Sequence, residues 1–331
     1  MQQSAQKLPE GFLGPSRFSR ELRERLPRVA ASRAPVLLEG ETGVGKSTLA
    51  RAIHSRSPRA ARSFQLVDCS SIPESILTRE LFGHRHGAFT GAVNDEPGYL
   101  EAAEGGSVYL RGVDRLPWRG QTVLLRAFEE GEILPIGASR PLPVDLRFIE
   151  SSQAPLEQWV REGSFREDLF YRLNGLRIEV PPLRERPEDL AFLIERFLRA
   201  EARRMRRGAP RIRDDLRRVL LAYPWPGNLL ELRHTLQGWL AVEDAEVLTP
   251  AHLPAQILAR LEERGEQPSG TRTFSIPAGL PFRRQLSFFQ TVLLKRCWRE
   301  CEGDREKLLR RLELTPHQLR YLQRKLDLGL G

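Results

Sequence analysis

An α/β fold, a parallel sheet with helices on both faces followed by all-helical segments, is what this sequence predicts, on three observations. Short apolar runs at Val36–Leu38, Phe64–Val67, Val108–Leu110 and Leu146–Ile149 alternate with stretches of helical periodicity. After Pro181-Pro182 the strand signals stop, and Glu188–Arg204, Arg213–Ala222 and Gly227–Val242 carry helical patterns alone. Residues 262–281, rich in Glu, Gly, Ser, Thr and Pro, read as a linker into a last helical segment. The expected division is a short tail (1–15), an α/β core (16–182), a helical unit (183–257), a linker (258–281) and a terminal helical domain (282–331).

Composition narrows the function classes. The 331 residues are 40% hydrophobic, enough for real cores, yet no run of 18 apolar residues exists to span a membrane. The polar start, Met1 to Pro9, lacks an apolar signal core, so the cytoplasm is the expected location and no membrane partner is expected. Cys69, Cys297 and Cys301 are too few and scattered for a disulfide framework. The net charge is +9, and residues 282–331 hold 12 Lys+Arg against 6 Asp+Glu. A basic terminal domain points to nucleic acid, with a merely soluble basic helix pair as the alternative.

Residues Gly40-Glu41-Thr42-Gly43-Val44-Gly45-Lys46-Ser47 form a complete G-x-x-x-x-G-K-[ST] loop. It follows the apolar strand Val36–Leu38 and precedes a helix over Thr48 to His54, the context that such a loop requires. Its glycines let successive N–H groups turn toward phosphate oxygens, Lys46 adds a positive charge, and Ser47 offers a hydroxyl to Mg²⁺. A second motif, Gly87-Ala88-Phe89-Thr90-Gly91-Ala92, is a small-residue loop with one aromatic and one hydroxyl. A phenylalanine exposed at a loop tip is costly to solvate and suggests a contact surface; a buried turn is the competing reading.

That hexapeptide is identical to the GAFTGA loop of bacterial enhancer-binding proteins, the AAA+ activators of sigma-54 RNA polymerase. The surroundings also resemble that family: Glu80-Leu81-Phe82-Gly83-His84, Gly105-Gly106-Ser107, Gly163 through Leu173, Pro181-Pro182-Leu183-Arg184-Glu185-Arg186 and Trp225-Pro226-Gly227-Asn228. The likeness runs from about residue 12 to 257. It implies a ring-forming AAA+ P-loop core over 16–182, with a helical lid over 183–257 and ATP as cofactor. It also implies contact with sigma-54 RNA polymerase through the loop, with Phe89 and Thr90 at its tip. Arg166 and Arg172 match the family's arginine fingers, which reach the γ-phosphate of a neighbouring subunit; a planar, permanent cation suits charge developing on phosphate.

The departures from the family are informative. Its Walker B strand ends in Asp-Glu; here the positions are Arg111 and Gly112. A cation stands where a metal-associated carboxylate belongs, and a residue without a side chain stands where the base belongs. Gln153 replaces the sensor Asn, Leu230 the lid's sensor Arg, Glu150 a small residue, and Asp68 the Asn that restrains the catalytic Glu. Asp114 lies three residues past Arg111, roughly 10 Å if the strand continues, and is expected on the opposite face, so it is not expected to substitute for either missing acid. Arg111 is expected to pair with Glu150 on the adjacent strand, since an unpaired charge there would cost several kcal/mol. Hydrolysis by this chain alone is expected to be impaired, nucleotide binding to persist, and Mg²⁺ to be poorly held.

In the terminal domain an amphipathic helix over 283–300 precedes Glu302-Gly303-Asp304, with Asp304 as the expected N-cap of a helix Arg305–Leu312. Thr315 then caps a helix with Pro316 at its first position. Two short helices on a tight turn read as a helix-turn-helix, similar to the Fis-type domain that ends most members of the family. Thr315, His317, Gln318, Arg320, Tyr321 and Arg324 are the candidate DNA contacts, against the alternative of a dimerisation tail. No sensing domain fits in residues 1–15, so control is expected from expression, a separate partner or ring assembly. The expected function is a DNA-bound regulator of sigma-54-dependent transcription acting in a homo- or hetero-oligomeric ring. An ordinary ATP-driven activator and a non-remodelling repressor or scaffold are the alternatives.

Overall fold

The computed structural model describes residues 13–242, 245–253 and 257, and parts of 290–322. Five parallel strands form the central sheet: β1 (Val36–Glu39), β2 (Phe64–Asp68), β3 (Ser107–Arg111), β4 (Arg147–Ser152) and β5 (Leu176–Glu179). Their order is β2-β3-β4-β1-β5. Four of the five were legible as apolar runs. β5, Leu-Arg-Ile-Glu, was not: as an edge strand it buries only one face, and its charged residues point to solvent.

The two-residue period of the strands divides the core into two layers. Val36, Leu38, Tyr109 and Ile149 face one layer, together with the helices Arg17–Ala31 and Lys46–His54. Leu37, Val108, Leu110 and Phe148 face the other, with the helices Glu74–Phe82, Trp118–Glu129 and Glu167–Leu173. The helices Pro187–Arg204, Asp214–Ala222 and Asn228–Val242 extend the first layer, and Trp225 is wholly buried among them. Asp189 ties this helical lid to the start of the core. It accepts from Ser16 N at 2.7 Å and from the Ser16 and Ser19 hydroxyls at 2.9 and 2.5 Å.

The chain divides into two compact units, residues 1–270 and 271–331. In the second, Leu294, Cys297, Cys301, Leu308 and Leu319 form a small core. Asp304 caps the helix Arg305–Arg311, accepting from Glu306 N at 2.9 Å and Lys307 N at 3.1 Å. Among the described residues no helix is long and apolar enough to cross a membrane.

Candidate nucleotide-binding site

The phosphate loop joins the carboxyl end of β1 to the helix Lys46–His54, which begins two residues earlier than its sequence pattern indicates. Gly43 has φ +82°, and a Cβ there would stand 2.2 Å from the carbonyl oxygen of Gly227. Only glycine fits both the conformation and the space. Lys46 donates back into its own loop, to the carbonyl of Glu41 at 2.9 Å and to that of Gly40. Burial pulls its pKa down to about 8, against the opposing pull of Asp114 and Glu41. The Ser47 hydroxyl meets Tyr109 Oη at 3.2 Å, and Tyr109 Oη meets Ser151 Oγ at 3.0 Å.

The lid holds this loop in shape. Asn228 Nδ2 donates to Glu41 Oε2 at 3.1 Å and to the Thr42 carbonyl at 3.0 Å, and Asn228 Oδ1 accepts from Leu183 N at 2.8 Å. Leu229 N donates to the Gly43 carbonyl at 3.0 Å, and Arg186 Nη2 to that of Val44 at 3.0 Å. Arg184 grips Glu41 through both guanidinium nitrogens, at 2.9 and 2.6 Å, and holds that carboxyl below its usual range. Asn228, Arg184 and Arg186 carry no role from sequence reasoning beyond marking the family. Their signal was present in the Pro-Pro-Leu-Arg-Glu-Arg and Trp-Pro-Gly-Asn segments. Leu230 is half exposed beside Gly43.

The expected Arg111–Glu150 pair does not form. In the parallel register Leu110 is opposite Glu150, and Arg111 is opposite Ser151 on one side and Asp68 on the other. A one-residue offset puts Arg111 and Glu150 on opposite faces of the sheet. Arg111 Nη2 instead donates to Asp68 Oδ2, and Asp68 Oδ1 also accepts from the Ser70 hydroxyl at 2.7 Å. Arg111 and Ser70 thus hold the Asp68 carboxyl below its usual range against the effect of burial. Glu150 lies fully buried on the apolar layer of Leu37 and Leu110, with neither carboxylate oxygen hydrogen-bonded. Burial pushes it well above the usual carboxylate range, because that apolar layer disfavours the charged form.

Asp114 also departs from expectation. The strand ends at Arg111, Gly112 turns left-handed (φ +73°, ψ 48°), and a 3₁₀ turn, Val113–Arg115, follows. The chain therefore does not run on for three strand residues. Asp114 folds into the interior beside the Ser152 hydroxyl and the Gln153 backbone, with its side chain 0% exposed.

Arg166 stands at the N-cap of the helix Glu167–Leu173, and Arg172 lies in its last turn. Arg166 binds Asp168 through Nε at 3.0 Å and Nη2 at 2.7 Å, binds Thr122 Oγ1 at 3.2 Å, and stacks 5.4 Å over Trp118. Arg172 meets Glu129 at 3.1 Å. None of these partners belongs to the phosphate loop of the same chain.

The segment Gly87–Ala92 is a surface turn. Gly87 N donates to the Ala92 carbonyl at 2.9 Å and Ala92 N to that of Phe89 at 3.0 Å. Phe89 is 40% exposed, which excludes the buried-turn alternative; its ring lies 4.9 Å from that of His84 and 5.8 Å from the Arg79 guanidinium. Thr90 is exposed and Ala88 abuts Gly137. Of the candidate DNA contacts, Gln318 is helical and exposed, whereas Thr315, His317, Arg320, Tyr321 and Arg324 lie outside the described residues.

Comparison with known proteins agrees with this geometry. Residues 12–179 match the sigma-54 interaction domain, and residues 184–269 match an AAA+ ATPase lid domain. The chain is 37% identical over 302 residues to the hydrogenase transcriptional regulatory protein HoxA of Cupriavidus necator, covering 89% of this chain and 62% of HoxA. It is 37% identical over 329 residues to the transcriptional regulatory protein XylR of Pseudomonas putida, covering 96% of this chain and 57% of XylR. It thus spans less than two thirds of the length of either curated relative. Among solved structures, NtrX from Brucella abortus in complex with ATP is similar, with a TM-score of 0.71 and 30% identity. That likeness covers 96% of this chain and 69% of NtrX. The parallel sheet, the phosphate loop clamped by a helical lid, and a domain match over half of the chain lead to one conclusion: the chain belongs to the sigma-54 interaction domain family of AAA+ transcriptional regulators.

Proposed function

We propose that this protein is a DNA-bound, nucleotide-binding regulator of sigma-54-dependent transcription whose own hydrolysis is impaired. One observation carries the impairment. At the carboxyl end of β3, beside the phosphate loop, Arg111 is locked to Asp68 and Gly112 supplies no base. The cradle that would hold ATP is intact and braced by the lid, and the similar NtrX fold has been solved with ATP. Loss of a general base alone typically removes roughly 10²–10⁴-fold in rate.

In this reading Phe89 and Thr90 contact sigma-54, and Thr315, His317, Gln318, Arg320, Tyr321 and Arg324 contact DNA. Arg166 and Arg172 complete the site of a neighbouring subunit in a homo- or hetero-oligomeric ring. Asp168 and Trp118 would keep the first finger ordered until that neighbour arrives. The test is steady-state ATPase of the purified chain alone and mixed with an active homologue. We expect turnover at least about 100-fold below that of the homologue, and a changed homologue rate on mixing. Unimpaired turnover by the chain alone would establish the ordinary ATP-driven activator instead. Failure to bind sigma-54, with DNA binding intact, would leave the repressor or scaffold.

A further inference from the structure

The end of β3 has lost a carboxylate, but the site has not. The left-handed turn at Gly112 redirects the chain so that Asp114 lies among three groups at the carboxyl edge of the sheet. The Ser152 hydroxyl and Gln153 backbone at the end of β4 are beside it. Its charge helps to hold Lys46 protonated, which places it within electrostatic reach of the phosphate loop. It also acts with burial and Asp68 to push the Cys69 thiol, at the end of β2, up to about 12. The carboxyl edge of a parallel sheet at such a crossover is where ligands bind.

Both oxygens of Asp114 are buried without a well-formed hydrogen bond, and burial raises its pKa against the weaker opposing pull of Arg115, the Ser152 hydroxyl and the Gln153 backbone. Its one ion pair is Arg115 Nε at 3.5 Å. A buried carboxylate with two unsatisfied acceptors costs several kcal/mol unless something else satisfies it. A hydrated divalent cation on a nucleotide would do so. Mg²⁺ takes hard oxygen ligands, keeps several waters, and needs only one or two carboxylates beside the phosphates. Ser47 and Asp114 are hard oxygen donors of that kind. Arg111, by contrast, is a cation committed to Asp68 and 47% exposed.

We propose that Asp114 supplies the carboxylate for the Mg²⁺ of a bound nucleotide, directly or through one of its waters, in place of the acid absent at Arg111. This rests on the nucleotide-binding reading above and deepens it. The metal-holding half of the lost pair is replaced from a new position, while the water-activating half is not. The site is then built to retain Mg·ATP without turning it over.

The test is equilibrium titration of the full chain with a fluorescent N-methylanthraniloyl ATP, in Mg²⁺ and in excess EDTA. Wild type, Asp114→Asn, Asp114→Ser and Lys46→Ala are compared, with circular dichroism and melting temperature confirming the fold of each. Wild type should bind at least about tenfold tighter with Mg²⁺. Asp114→Asn and Asp114→Ser should bind equally with and without the metal, at the affinity of wild type in EDTA. Asp114→Asn should melt no lower than wild type, since burial raises the Asp114 pKa more than Arg115, Ser152 and Gln153 lower it. The proposal is overturned if wild type shows no preference for Mg²⁺, or if either Asp114 variant keeps it. It is also overturned if the variants weaken equally in Mg²⁺ and EDTA, which would make Asp114 a counter-charge for Lys46 only. Absence of saturable binding by wild type under both conditions would overturn the nucleotide reading itself, and this proposal with it.

Discussion

The phosphate loop and the end of β3 are two walls of one site, and they have fared differently. The loop is built from backbone: glycine conformations, N–H groups at a helix start, and carbonyls gripped by Asn228, Leu229 and Arg186. The strand end acts through side chains, and there, in the reading proposed above, Arg111 and Gly112 stand in place of acids. A wall made of main chain is coupled to packing, so altering it disturbs the fold. A wall made of side chains at a strand terminus can be rewritten while the sheet stays intact. Arg111 has a partner in register, Asp68, and the strand before it keeps apolar residues on both faces.

The most direct way to break this contrast is to restore the missing side chains. We expect the triple variant Asp68→Asn, Arg111→Asp, Gly112→Glu to gain at least about 100-fold in ATPase rate, the lower end of what a general base contributes. All three changes are needed, because Arg111→Asp alone would set a second carboxylate in register with that of Asp68. No gain, with nucleotide still bound, would show that the defect lies elsewhere, at Gln153 or Leu230.

The opposite wall should not tolerate change. Gly43→Ala places a methyl 2.2 Å from the Gly227 carbonyl oxygen at φ +82°. We expect a loss of about 2–4 kcal/mol in urea unfolding, together with loss of nucleotide binding. A variant that kept both would show the lid clamp to be dispensable.

How much of this was legible beforehand follows the same division. The phosphate loop, the four strands written as apolar runs and the surface loop at Phe89 were readable because each depends on residues close in sequence. The partner of Arg111 was not, because it depends on which neighbouring strand is in register and on which face. Asp114 was misplaced for a related reason. Its position hangs on Gly112 ending the strand, and a glycine after an apolar run does not announce a left-handed turn. β5 escaped notice because an edge strand buries only one residue in two.

Glu150 gives a sharper view of how far side chains can drift inside the frame. It sits unpartnered in an apolar layer, raised well above the usual carboxylate range by burial. With its folded pKa above the unfolded value, its contribution to stability is fully present below the ordinary value of 4.5 and is lost as pH rises toward the folded pKa. We expect Glu150→Leu to stabilise the protein by about 1–3 kcal/mol at neutral pH. The gain should shrink as pH falls, by up to about 1.4 kcal/mol per pH unit, and level off below about 4.5, where the native side chain is neutral in both states. A gain independent of pH would mean that Glu150 finds a charged partner in solution.

The smallest effect belongs to the Arg111–Asp68 ion pair at the end of β3. Arg111 is 47% exposed, so its attraction to Asp68 is screened, and Asp68→Ala should cost under about 1 kcal/mol. Asp68 has a depressed folded pKa, so its contribution is present above the ordinary value of 3.8 and is lost as pH falls through the lower folded value. The wild type should therefore lose its advantage over Asp68→Ala only at the acid end, which thermal melts from pH 7 to pH 3 would resolve. A larger loss at neutral pH would mean that the ion pair braces the strand end, and that the side-chain wall is tied to the fold after all. A small loss leaves it as a site whose chemistry was free to change because the sheet did not depend on it.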